Sequence, residues 1–285
     1  MRLLIAGAGD LGMRVAALAQ AAGSAVLAVR RTAVAGEQPA VPTLAADLAA
    51  PATWLPDLTP HDTLLWCATP DRRDEASYRH IFLDAPRLLL DAAADAGWRW
   101  RRVVFCSSTA VYGDHPEAQD EQSPPDPPGF NGRLLLAAEQ ALGARLGDTL
   151  VSARLGGIYG PGRDLLLRRL KSGLGIDRLQ PRRMNRIHIE DAAAALWFLF
   201  KTAAITHPVV NIVDRHGGTE PEVLDWLAEQ YSLPKLPHLP GSMGESGKCV
   251  RPAVLQALGF RHRFADFRCG YAGMTRVPNG DAARV

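Results

Sequence analysis

Short, unbroken apolar runs recur along the chain and are separated by stretches with helical spacing. Arg2-Leu-Leu-Ile-Ala6 is the first such run and Ala25-Val-Leu-Ala-Val29 the second, with Gly7-Ala8-Gly9-Asp10-Leu11-Gly12 and an alanine-rich stretch between them. An apolar run bounded by turn residues reads as a strand buried on both faces. The first thirty residues therefore predict strand, glycine turn, helix, strand. Further strands are expected at Thr43–Ala45, Asp62–Cys67, Arg102–Cys106, Thr149–Leu155 and Pro208–Val213. Helices are expected over Asp74–Asp95, with a kink at Pro86, and over Asn131–Leu146, where Leu134, Leu135, Ala138 and Leu142 share a side. A leucine- and arginine-rich helix follows Arg163. Two more helices are expected, one at Ala192–Phe200 and one at Thr219–Tyr231, with Glu220 and Glu222 in the first turn of the latter. Ser123–Gly129 and Leu233–Lys248 are rich in proline and glycine and read as loops, and Ala253–Gly259 as a short helix before an irregular tail.

Alternating strands and helices predict an α/β fold, a doubly wound parallel sheet with helices on both faces. In such sheets ligands bind beyond the carboxyl ends of the strands, where strand order reverses. The turns at Gly7, Ala68 and Ser108 are then expected around one crevice. The division expected is a nucleotide-binding core over residues 1–155, completed by about 185–214. Residues 156–184 and 215–285 would form a smaller C-terminal substrate lobe.

A glycine turn that closes a strand and opens a helix has the form of a dinucleotide-binding fingerprint. Gly7 permits the turn, Gly9 lets a pyrophosphate approach the backbone, and Gly12 lets helix and strand pack closely. The N–H groups from Asp10 and Leu11 onward would face the phosphates. At the end of the second strand an acidic residue would accept from a ribose 2′-OH. Arg30 stands there, followed by Arg31. A guanidinium pairs bidentately with a 2′-phosphate, which favours NADP(H) over NAD(H). Asp47 either accepts from the adenine amine or caps the helix beside it, with Leu48 at its side. Ala68 and Thr69 are small residues at a strand's carboxyl edge, leaving room for a cofactor.

The 285 residues suffice for one large α/β unit or two small domains. Lys plus Arg number 32 against 30 Asp plus Glu, a net charge of +2, so nothing in the charge points to nucleic acid or an anionic membrane. The N-terminus enters a strand directly, without the pattern of a signal peptide, and no stretch reads as a membrane span. Cys67, Cys106, Cys249 and Cys269 show no metal-type spacing. Cys67 and Cys106, in apolar runs, read as small buried residues. A cytoplasmic protein without a metal site is expected.

Four segments together resemble the extended short-chain dehydrogenase/reductase superfamily, of the NAD-dependent epimerase/dehydratase type, with its Rossmann-like core. They are the glycine turn, Ser107-Ser-Thr-Ala-Val-Tyr-Gly113, Gly157-Ile-Tyr-Gly-Pro-Gly-Arg163 and Arg186-Ile-His-Ile-Glu-Asp191. The segments from Gly247 to Tyr271 look like the atypical subgroup of small bacterial members. The resemblance implies a small-molecule substrate such as a nucleotide sugar, and a monomer or a homodimer built on a two-helix contact. It places the family's catalytic serine or threonine at Ser108, with Thr109 a second candidate. Extended members carry G-x-x-G-x-x-G, where this chain has the shorter G-x-G-x-x-G.

The family's Tyr-x-x-x-Lys pair falls on Asn131 and Leu135, counting back from Glu139. In the family the tyrosine exchanges a proton with the substrate, and the lysine assists it and holds the nicotinamide ribose. Leucine can do neither, and asparagine is no general base near neutral pH. Tyr112 accompanies the active tyrosine in relatives and is no obvious substitute, and Arg133 points off the Asn131 face.

His188 and Asp191 read as a structural cap rather than an acid–base pair. Arg182, Arg183 and Arg186 either bind an anionic group such as a diphosphate or lie solvated, and Lys248 and Arg251 are similar candidates. Tyr159 through Arg163 is expected to shape the floor of the substrate cleft, so Tyr159, Arg163 and Arg186 are the substrate-side candidates. Two functions stay open: an NADP(H)-dependent oxidoreductase or epimerase in which Ser108 positions the reacting oxygen, and an NADP(H)-binding sensor without chemistry.

Overall fold

The computed structural model describes residues 1–32, 40–115, 117–203, 205–240 and 247–272. Along the chain, β1 (Arg2–Ala6) leads into α1 (Asp10–Ala21), β2 (Ala25–Arg30) and β3 (Thr43–Ala45). Next come β4 (Thr63–Trp66), α2 (Glu75–Arg79), a π-helical stretch at His80–Asp84, and α3 (Ala85–Asp95). β5 (Arg102–Ser108), the short β6 (Ala118–Gln119), α4 (Phe130–Leu146) and β7 (Leu150–Leu155) follow. The remainder is β8 (Gly157–Tyr159), α5 (Leu165–Lys171), β9 (Arg186–His188), α6 (Ile189–Lys201), β10 (Val209–Ile212), α7 (Glu220–Gln230), β11 (Cys249–Val250), α8 (Ala253–Ala257) and α9 (Phe267–Ala272).

Seven strands form one sheet in the order β10-β7-β5-β4-β1-β2-β3, every pair parallel. Successive residues of β1 feed opposite cores. Leu3 and Ile5 join α1 and α6 on one face, while Leu4 and Ala6 join α3 and α4 on the other. That two-sided burial is why the central strands read as unbroken apolar runs. The chain leaves β1 toward β2 and β3, then returns to lay β4 on the other flank of β1. This reversal sets the glycine turn beside the turn after β4, where a cleft forms.

A third core lies outside the sheet. Tyr159, Leu166, Leu170, Val223, Leu224 and Phe267, from β8, α5, α7 and α9, pack together there. α8 is different, since Val254 and Leu255 join the first core of the sheet. α7 begins with a capping box between Thr219 and Glu222.

The helix expected over Asp74–Asp95 is divided just before Pro86 into α, π and α stretches. It widens upstream, where the Ala85 N–H reaches back five residues to His80 O. Pro86 then sits in the first turn of α3, where its missing N–H costs no hydrogen bond. The two-residue pair β6 and β11, and the pair β8 and β9, escape sequence reading because segments so short carry no periodicity. No helix among the described residues is long and apolar enough to cross a membrane.

Candidate functional site

Three adjoining cavities run along the carboxyl edge of the sheet. The first, of about 280 Å³, is lined by Gly7 and Gly9, by Arg30 and Arg31 at the end of β2, and by Asp47, Leu48, Ala68 and Thr69. Its three turn glycines are required for different reasons. Gly7 has φ +109°, and a Cβ there would meet Ala68 N at 2.4 Å. A Cβ on Gly12 would meet the Gly7 carbonyl oxygen at 2.2 Å. A Cβ on Gly9 would meet nothing within 4 Å. Gly9 is the N-cap of α1, and no side chain caps the helix. The first N–H groups therefore face outward with the positive end of the helix dipole, a cradle suited to a pyrophosphate.

Arg30 is half-buried and makes no ion pair among the described residues. Arg31 is exposed and pairs bidentately with Asp71 on the opposite lip of the cavity. That pairing raises the Arg31 guanidinium above its ordinary value and lowers the Asp71 carboxyl. Asp47 Oδ1 accepts from Ala49 N at 2.9 Å in a local turn, and the helical turn that follows at Pro51–Thr53 has Ala50 as its N-cap with no side-chain cap. The Asp10 carboxylate is committed to Arg14 at 2.8 Å and Arg163 at 3.2 Å, so only its backbone remains for a phosphate.

The second cavity, of about 480 Å³, shares Cys67 through Asp71 with the first. Leu11, Tyr78, Ser108, Asn131 and Leu135 also line it. Asn131 and Leu135 lie one turn apart on α4, whose sequence holds neither tyrosine nor lysine. Gly132 lets α4 approach closely, since a Cβ there would meet Ala110 O at 2.2 Å. Ser108 Oγ accepts from Ala110 N at 3.1 Å, so the hydroxyl proton is left for a ligand. Behind it, Ser107 Oγ donates to Glu139 Oε1 at 2.5 Å, and Glu139 also accepts from Arg154 Nη2 at 2.6 Å. This buried pair fixes the end of β5 on which Ser108 stands. The cysteines are inert: Cys67 Sγ donates to Gly7 O at 3.0 Å, and burial pushes its thiol up to about 12. Burial, then the neighbouring Cys67, raise Cys106 as well.

The third cavity, of about 800 Å³, adjoins the second through Ser108 and Ile158 and includes Thr109. Its wall carries Arg163, Arg182, Arg183, Arg186 and Lys248 against one carboxylate, Asp114. Lys248 Nζ donates to Tyr112 O at 2.6 Å, and burial lowers its pKa. Arg186 is only 7 % exposed and makes no ion pair among the described residues. Its Nη2 donates to Tyr271 Oη at 3.1 Å, while its Nε and that of Arg163 have no partner. A buried guanidinium left so under-satisfied suits an incoming anion.

Tyr159 is placed differently from the expectation. It is fully buried, stacked on Tyr271 with centroids 4.7 Å apart, and its hydroxyl donates to Asp266 O at 3.2 Å. Arg186 lies over its ring at 5.3 Å. Tyr159 thus supports Arg186 from behind and lines none of the three cavities. His188 Nδ1 caps α6 by accepting from Glu190 N at 3.3 Å, and Asp191 accepts from the backbone of Arg263 and Phe264. Both are structural. Arg251 gives its carbonyl to Asn211 and lines none of the three cavities, while Arg133 is exposed and donates to Pro128 O. Among the described residues no group of three or more His, Cys, Asp or Glu could hold a metal ion.

Sequence reading missed Asp71, Arg72, Arg73 and Tyr78, all on the second cavity's wall. They sit in a polar stretch that resembles an ordinary helix start. The available signal was positional, because the turn after β4 flanks the strand-order reversal.

The profile of the NAD-dependent epimerase/dehydratase family matches residues 3–212. A solved structure from Methylobacillus flagellatus, assigned by name to that family, superposes with TM-score 0.78 at 29% identity, covering 95% of this chain and 96% of that one. Human epimerase family protein SDR39U1, solved with NADPH, gives TM-score 0.77 at 22% identity, covering 96% and 99%. Protein YeeZ of Escherichia coli is 29% identical over 144 residues, 46% of this chain. The match spans 50% of the length of that curated relative.

Proposed function

The chain belongs to the NAD-dependent epimerase/dehydratase family, and on that premise we propose that it is an NADP(H)-dependent oxidoreductase or epimerase. Its substrate is a small metabolite carrying a phosphate or similar anionic group, and a nucleotide sugar fits that description. The observation that carries this reading is the line of three connected cavities, ending in one with five cations against one carboxylate. Residues 156–184 and 215–272 supply much of that cationic wall and act as the substrate lobe.

The residues fit a dinucleotide. Gly9 leaves the space that a side chain would fill, and α1 presents uncapped N–H groups. Arg30, without a carboxylate partner, takes the 2′-phosphate, and Arg31 joins it by exchanging Asp71 for the phosphate. When bound, the nicotinamide supplies or accepts a hydride. This chain's own residues orient the partner: the Ser108 hydroxyl donates to the reacting oxygen, and Arg163, Arg186 and Lys248 hold the anionic end. Asn131 and Leu135 stand where the family carries its Tyr-x-x-x-Lys pair. The absence of both residues from α4 favours a second reading, an NADP(H)-responsive binding protein without turnover. We take the protein to be cytoplasmic, as its four free cysteines suit, and to act as a monomer or homodimer.

Nicotinamide fluorescence measures NADPH and NADH binding, and absorbance follows oxidation of NADPH with a panel of sugar nucleotides and carbonyl compounds. NADPH binds at least tenfold tighter than NADH, and Arg30→Ser abolishes that preference. Ser108→Ala abolishes turnover. Equal binding of the two cofactors refutes the NADP(H) assignment. Tight NADPH binding without turnover by the unmutated protein selects the sensor reading.

A further inference from the structure

We propose that the phenol of Tyr78, on α2, exchanges the proton at the substrate's reacting oxygen, a task the family assigns to a tyrosine on the helix corresponding to α4. This rests on the oxidoreductase reading above. Tyr78 lines the second cavity with Ser108 and Asn131. Its ring packs edge-on against Phe130, the neighbour of Asn131, with centroids 5.3 Å apart, and against Phe82 at 5.4 Å. The phenol of one helix thus stands alongside the α4 position that lacks one. The π-helical stretch begins two residues later, and such local widenings cluster at functional sites.

Other groups on that wall are committed or unsuited. The Cys67 thiol donates to Gly7 O, and Ser107 donates to Glu139. An asparagine amide does not exchange protons near neutral pH. The Tyr78 hydroxyl has no hydrogen-bond partner among the described residues, and the residue is half-buried on the cavity wall.

In the reducing direction a bound dihydronicotinamide would supply a hydride, with its electron pair, to the carbonyl carbon. The carbonyl π bond breaks, and its oxygen forms an O–H bond with the proton leaving Tyr78 Oη. The phenolate takes a proton back from solvent at the cavity mouth. Oxidation of an alcohol runs the same transfers in reverse.

The test uses the full chain labelled at the tyrosine 13Cζ, which gives five resonances for five tyrosines. Tyr78→Phe identifies the Tyr78 signal by its loss, and Tyr231→Phe serves as a remote control. The Tyr78 resonance moves on saturation with NADP+, while Tyr78→Phe keeps its NADPH Kd within about twofold and its melting temperature near that of the unmutated protein. On whichever carbonyl substrate the panel yields, kcat of Tyr78→Phe falls by about 100-fold or more with KM little changed, the scale of general acid–base catalysis. Tyr231→Phe changes neither. An unmoved Tyr78 resonance at saturating NADP+, or a Tyr78→Phe protein that turns over normally, overturns the Tyr78 assignment and leaves the oxidoreductase reading standing. An unmutated protein that fails to bind NADPH, or binds it and reduces nothing, overturns both.

Discussion

Replacing Asp214 by asparagine should make the protein's stability less dependent on pH between about 4 and 7. Asp214 follows β10 and is 2 % exposed. Its Oδ1 accepts from His188 N at 3.3 Å, and the Tyr159 hydroxyl lies nearby. Burial outweighs the opposing pull of the Tyr159 hydroxyl and the His188 N–H and raises the carboxyl from 3.8 to about 7. Between those values the folded protein holds a proton that the unfolded chain has released. Stability from this group is therefore complete below pH 3.8 and is lost as pH rises through 7. A shift of about three pH units at 1.36 kcal/mol each sets an upper bound of roughly 4 kcal/mol. Asparagine keeps an acceptor for the His188 N–H and cannot ionise. Urea unfolding, followed by the fluorescence of the six tryptophans, measures both proteins from pH 4.5 to 8. The variant gains on the unmutated protein by up to about 1.4 kcal/mol per pH unit and levels off above pH 7. A gap that stays constant across the range refutes the burial argument, whatever its size.

Two further predictions follow from the packing. Gly9→Ala melts at the unmutated temperature yet binds NADPH at least tenfold more weakly, whereas Gly12→Ala loses stability itself; calorimetry and fluorescence titration separate the two, and a destabilised Gly9→Ala would contradict the open space at that position. Glu139→Met leaves Arg154 charged and unpaired at about 5 % side-chain exposure, which costs roughly 3–5 kcal/mol and lowers the melting temperature by about 5–8 °C, while Glu139→Met/Arg154→Met recovers most of the loss.

What could be read in advance depended on whether a residue's role was local. β1, α1 and β2 were legible because buried parallel strands and a glycine turn impose their own residue types. Asn131 and Leu135 were located only through the family resemblance, and it is the second cavity that brings them to one wall with Ser108. Tyr159 was misread because its neighbourhood is made by Tyr271 and Asp266, far along the chain, and no spacing announces that contact. Arg31 was recognised as a cation, but its tie to Asp71 depends on the turn after β4 lying opposite β2. Tyr78 was passed over as one more position on a helix, and only the packing of α2 against Phe130 brings it to the cavity.

Asp10 occupies an awkward spot, a carboxylate in the first turn of α1 at the doorstep of the phosphate cradle. Unattended, it would repel the very groups that the helix end attracts. Arg14 restrains it from within the helix, and Arg163 reaches it from a position 153 residues further on. The electrical neutrality of the amino-terminal half is thus partly on loan from the carboxyl-terminal half. Cut from its other half, the amino-terminal segment would keep its glycines but meet a diphosphate with an unmasked negative charge.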